Sequence, residues 1–132
     1  MYFGGNTMQK NTTDSAINKE TIQKLKKFQK PEQPNILTKF IVLFLGSSSE
    51  SMKQIRAALR SNNDEKISEI AHSLKSSSNY LGALTFSNYC DQLQKLAESE
   101  NATPSSITEI VNHLETEYIQ VVKELEEYKK DP

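Results

Sequence analysis

Residues 103–128 read TPSSITEIVNHLETEYIQVVKELEEY, and this stretch decides the fold. Thr103 followed by Pro104 marks a helix start. The hydroxyl can accept from a free first-turn N–H, and proline has the φ of that turn and lacks an N–H that would go unused there. Beyond it Ile107, Ile110, Val111, Leu114, Tyr118, Val121, Leu125 and Tyr128 recur at spacings of three and four. That period lines one face of a long helix and fits no strand, whose faces alternate every residue.

The same reading extends backwards. Leu84 to about Ser99 carries Phe86, Tyr89, Cys90, Leu93, Leu96 and Ala97 on one face. Gly82 stands where a left-handed residue closes the preceding helix, and Asn62 with Glu65 has the spacing of a capping box that opens it. Further back, Ile36, Leu37, Phe40, Ile41 and Phe44 form a stripe on a helix starting near Pro34, and the Gly46 region is expected to kink or end it. Ser47 with Glu50 then reads as a second capping box, opening a segment with Met52, Ile55 and Leu59 inside. Asn18 caps a short first helix through about Phe28. Long amphipathic helices with short connections favour antiparallel neighbours. The expected fold is therefore all-α, an antiparallel up-and-down four-helix bundle with an additional short N-terminal helix, over residues 18–130. Residues 1–17 read as a disordered polar leader or linker.

Composition narrows the function. With 132 residues there is room for one compact domain, and a net charge of −1 without a basic block implies neither nucleic acid nor an anionic membrane as partner. The single cysteine, Cys90, allows no intramolecular disulfide and reads as a core thiol. The most apolar run, Phe40–Leu45, is far short of the ~20 residues that span a bilayer, and the N-terminus lacks a signal-peptide pattern. A cytoplasmic address is expected. No Gly-rich phosphate loop, nucleophile elbow or kinase signature occurs, and the two histidines, His72 and His113, lack ligand-spaced carboxylates. Neither a metal nor a cofactor is expected.

The chemistry lies in Glu69–Ala83, EIAHSLKSSSNYLGA. At about 100° per residue, Ile67, Ile70, Ala71, Leu74, Ser78 and Leu81 fall within a buried wedge, and His72 lies about 140° from its centre. Glu65, Ser68, Lys75, Ser76 and Asn79 surround it on the outer face. A neutral imidazole is a competent nucleophile near pH 7. Lys75, one turn on, can offset the charge of an incoming phosphoryl group, and the small Ser76 with Asn79 leaves an approach path for a partner. His113 is also exposed, but Glu109, Asn112 and Glu117 around it would repel such a group. Val42, Leu43 and Leu45 turn partly outward from the second helix. They suit either deeper burial or an apolar docking patch beside His72.

AHSLKSSSNYLGA resembles the signature of histidine-containing phosphotransfer domains, roughly A-H-x-[LI]-K-G-[SA]-[SA]-x-x-[LI]-G-A. His72, Leu74, Lys75, Ser77, Ser78, Leu81, Gly82 and Ala83 match in register. The helix spacing over residues 18–130 is similar as well. The resemblance implies a phosphocarrier, not an enzyme. His72 accepts a phosphoryl group from a receiver-domain aspartate and passes it to another receiver, Lys75 stabilises its charge, and Gln94 supports the ring. Partners are response-regulator receiver domains and a hybrid sensor histidine kinase, and the domain works as a monomer. Ser76 departs from the pattern, which has glycine there. The departure keeps open an alternative, a helical interaction module without phosphotransfer. A kinase dimerisation hairpin fits less well, because it expects an acidic residue where Ser73 stands.

Overall fold

A computed structural model describes residues 15–29 and 35–130. Within these described residues five helices follow in order: α1 (Lys19–Lys27), α2 (Ile36–Arg60), α3 (Asp64–Tyr80), α4 (Leu84–Ala97) and α5 (Pro104–Lys130). Among the described residues there is no strand. α3 packs on α2 and α4, α4 on α5, and α5 closes on α2, with α1 laid against α2. This cyclic order, with short turns, is the antiparallel four-helix bundle with one short N-terminal helix.

Each stripe turns inward as its period requires. Ile41, Ile55, Ile67, Phe86, Leu93, Val111, Leu114 and Leu125 are fully or almost fully buried in one continuous core. Cys90 sits among them, and burial pushes its thiol up to about 12, so it is an inert packing group. Polar side chains also meet across helices. Ser48 Oγ and Tyr118 Oη lie 2.8 Å apart across α2 and α5, and Arg56 Nε donates to Glu115 Oε2 at 2.6 Å nearer the C-terminal end of α2.

Several helix ends differ from expectation. α2 runs unbroken through Gly46 to Arg60. The reason is that Ser47 and Ser48 turn their hydroxyls back onto Phe44 O and Leu45 O instead of capping a new helix, while Ser48 is held by Tyr118. A glycine inside a helix costs only ~1 kcal/mol, and that packing outweighs it. α2 is capped by Asn35, whose side chain accepts from Thr38 N–H; Pro34, expected at its first turn, lies outside the described residues. α3 is capped by Asn63, accepting from Lys66 N–H, one residue beyond the expected Asn62. Asn62 takes a positive φ of 54° to make the turn. The end of the leader is also part of the domain. Ala16 and Ile17 are buried, and their N–H groups donate to the Glu124 carboxylate at 2.7 and 3.0 Å. Residues 1–14 lie outside the described residues.

The α3–α4 turn matches expectation. Gly82 has φ +84°, its N–H donates to Asn79 O, and Ala83 N–H donates to Ser78 O. These two bonds form a Schellman cap. Asn18 N–H donates to Gly82 O at 2.8 Å, so the start of α1 is fastened to this turn.

The two interior glycines should respond oppositely to alanine. A Cβ on Gly82 would meet Thr21 Cβ at 2.8 Å and Asn18 O at 3.2 Å at a φ that disfavours L residues, whereas one on Gly46 would meet nothing within 4 Å. Gly82→Ala should therefore cost more than ~1 kcal/mol in urea unfolding, and Gly46→Ala should stabilise by up to ~1 kcal/mol. Equal effects would contradict the cap.

Candidate functional site

α3 presents two faces along its middle turns. Ile67, Ile70, Ala71, Leu74 and Ser78 point into the core. His72, Ser76 and Asn79 are exposed on the other side, as their spacing requires. The serine run is accommodated by side chains that bond locally. Ser77 Oγ bonds back to Ser73 O, and the buried Ser78 Oγ donates to Leu74 O at 2.6 Å.

α4 returns antiparallel beside α3 and supplies a partner to each polar residue on the shared edge. His72 Nδ1 and Gln94 Oε1 are 3.4 Å apart. Lys75 Nζ binds Asp91 Oδ1 at 3.1 Å, and Lys95 Nζ binds the other oxygen of the same carboxylate at 2.9 Å. Ser68 Oγ donates to Glu98 Oε2 at 2.7 Å, and Gln94 Nε2 donates to the same oxygen at 3.3 Å. Ser87 Oγ reaches the Lys75 carbonyl at 3.0 Å. The three cross-helix pairs, 68 with 98, 72 with 94 and 75 with 91, are separated by 30, 22 and 16 residues. All are centred on Ala83, as a hairpin folded at the Gly82 turn demands.

The electrostatics follow from these contacts. The Lys95 and Lys75 ammonium groups hold the Asp91 carboxyl below its ordinary value. Glu98 is also lowered, first by the Ser68 hydroxyl and then by the Gln94 amide. Lys75 is thus available beside His72 but already shared with an acid.

The structure brings His72, Lys75 and Gln94 to one edge, with Ser76 and Asn79 open beside them. Ser68 differs from expectation. It is nearly buried because it turns toward α4 to reach Glu98. Asp91, Glu98 and Ser87 are the site neighbours that the sequence reading missed. Folding the sequence about Gly82–Ala83 would have found the first two. His113 is exposed as expected, but its ring stacks on Tyr89, with centroids 5.7 Å apart and planes within 8°. Glu117, expected around it, is buried.

An apolar groove lies between α2 and α3, toward the C-terminal end of α3. Phe40, Leu43, Phe44, Tyr80 and Leu81 line it, with Ser47 and Ser77 at its polar edge. Leu43 and Tyr80 are 63% and 53% exposed, while Leu45 packs against the core. The Phe40 and Tyr80 rings meet edge to face at 5.5 Å. Among the described residues no group of three His, Cys, Asp or Glu side chains could hold a metal ion, and no helix is long and apolar enough to cross a membrane.

His72 is thus exposed on α3, with the Gln94 amide at its ring and Lys75 one turn on. The Hpt domain profile matches residues 39–127. The chain belongs to the Hpt domain family, the histidine phosphotransfer carriers of phosphorelays. Its fold is similar to the crystal structure of histidine-containing phosphotransfer protein B (HptB) from Pseudomonas aeruginosa PAO1. The two align with a TM-score of 0.77 and 19% identity over 89% of this chain and 96% of that one. No curated protein sequence matches the chain significantly.

Acid should loosen the α3–α4 edge. Asp91 and Glu98 are lowered in the folded chain, so their contribution is fully present above their ordinary range and is lost as pH falls through the lowered native values. Urea stability should therefore decline from roughly pH 5 downward, and the double variant Asp91→Asn, Glu98→Gln should flatten that decline. An unchanged slope would mean that the pairs do not hold in solution.

Proposed function

We propose that His72 is the phosphoryl-accepting residue of this carrier, taking the group from a receiver-domain aspartyl phosphate and returning it to a second receiver. The observation that carries this reading is the exposed His72 ring with its Nδ1 facing Gln94 Oε1. A carbonyl oxygen only accepts, so the ring nitrogen facing it is the one that bears hydrogen, and the Nε2 lone pair is left open toward solvent. Nε2 attacks phosphorus in line, the P–N bond forms, and the P–O bond to aspartate breaks to release the carboxylate. The ring gains positive charge, which the Gln94 oxygen stabilises through Nδ1–H.

Lys75 is the charge-stabilising residue. It rests on Asp91, and the arriving phosphoryl oxygens compete with that carboxylate for its ammonium. Ser76 and Asn79 border the approach path, and the groove at Phe40, Leu43 and Tyr80 supplies an apolar seat for the receiver. A hybrid sensor histidine kinase is the proposed source of the relay and a cytoplasmic monomer the proposed working form. The metal that such transfer uses belongs to the receiver's carboxylates in this reading.

His72→Gln should abolish phosphoryl uptake from a phosphorylated receiver and change stability by less than ~0.5 kcal/mol, because the side chain is exposed. His113→Gln should leave uptake intact. Labelling retained in the first variant would refute the assignment.

Ser76 tests the docking geometry separately. Ser76→Gly should keep or speed transfer at a cost of up to ~1 kcal/mol in stability. Ser76→Leu should slow transfer strongly while the helical circular-dichroism spectrum persists. Equal rates for glycine, serine and leucine would mean that no partner passes there.

A further inference from the structure

A glutamine beside a histidine can turn either end of its amide toward the ring, and the two orientations select opposite tautomers. With the oxygen inward, the facing nitrogen carries hydrogen; with the NH2 inward, it carries the lone pair. Gln94 alone has no reason to prefer one. Its other amide end, however, meets Glu98 Oε2 at 3.3 Å, one turn further along α4. A carboxylate accepts and cannot donate, so the NH2 group must face Glu98 and the oxygen must face His72. Glu98 is itself held in place, since Ser68 Oγ on α3 donates to the same oxygen at 2.7 Å. Hydrogen bonds to that oxygen keep the carboxyl ionised, and therefore an acceptor, at neutral pH.

We propose that Glu98, braced by Ser68, is a positioning residue that fixes the Gln94 amide and so commits His72 to the Nδ1–H tautomer with Nε2 free. The chain of contacts is Ser68 hydroxyl to Glu98 carboxylate, Glu98 to Gln94 NH2, and Gln94 oxygen to His72 Nδ1. Glu98 acts through Gln94, and its charge lies on the Nδ1 side of that chain, away from the nitrogen that attacks. The role of Nε2 rests on the assignment of His72 as acceptor. The tautomer does not, and it can be read in the resting protein.

The test is long-range 1H–15N NMR of the imidazole nitrogens in the uniformly labelled full chain, at alkaline pH. The unmodified protein should show His72 Nδ1 as the hydrogen-bearing nitrogen and Nε2 as the bare one. In Glu98→Gln, whose amide can donate as well as accept, and in Glu98→Ala, the two His72 signals should move toward each other as the tautomers mix. His113, stacked on Tyr89, should not change. Phosphoryl uptake from a phosphorylated receiver should fall several-fold in both variants at a Tm close to that of the parent. Glu98→Asp should recover part of the shift and part of the rate. His72 signals unchanged in both Gln and Ala variants would overturn the proposal, as would an Nε2–H tautomer in the unmodified protein. A parent protein with the Nδ1–H tautomer but no phosphoryl uptake would uphold the positioning role and refute the acceptor assignment instead.

Discussion

The register of α4 against α3 is the constraint on which the site depends, and the Gly82 turn sets it. A Schellman cap ends α3 at a fixed residue, and α4 starts after a connection too short to slide. Once both helices are pinned at that end, every facing pair is determined by distance from the turn. Lys75 meets Asp91, His72 meets Gln94 and Ser68 meets Glu98 at successive levels down the hairpin. The turn is in turn held by α1, whose first residues wrap over Gly82 too closely for a side chain there. A short N-terminal helix that contributes nothing to the site by contact therefore supports its geometry.

The division of α3 into two faces lets one helix serve stability and chemistry together. Its inner face is fully engaged in the core, so the helix does not need the outer face for stability. The outer face can then be polar, small-sided and open around His72. The serines after the histidine fit this division. Ser78 is buried and satisfies its hydroxyl on a carbonyl one turn earlier, while Ser76 stays exposed and leaves space. The two ammonium groups of this edge share one carboxylate. Asp91 takes both Lys75 and Lys95, one on each oxygen.

Departures from the sequence reading share a physical cause: packing decided between local options that are close in energy. Gly46 has the local character of a helix end, but the stripe on either side of it keeps one phase, and burying both halves against the same neighbours favours continuity. At the start of α3, Asn62 and Asn63 can each cap, and the turn from α2 selects the second by placing the first at positive φ. Ala16 and Ile17 looked like the tail of a polar leader because two apolar residues make no stripe. Glu124, more than a hundred positions away, gives their N–H groups an acceptor.

The sequence by itself determined the helices, their inward stripes, the closing role of Gly82, and the exposure of His72, Ser76 and Asn79. Each follows from a period of 3.6 residues or from the conformational range of one residue, which are properties of the chain near that point. The family signature was legible for the same reason, since it lies within two turns of one helix and its cap. Tertiary structure alone decided what His72 and its neighbours touch. Asp91 beneath Lys75, Glu98 behind Gln94 and Ser68 turned from solvent toward α4 are contacts across two helices. A helix period says which side of α4 a residue occupies but not the height at which it meets α3. That height became fixed only when the hairpin closed on its turn and the core locked both helices in place.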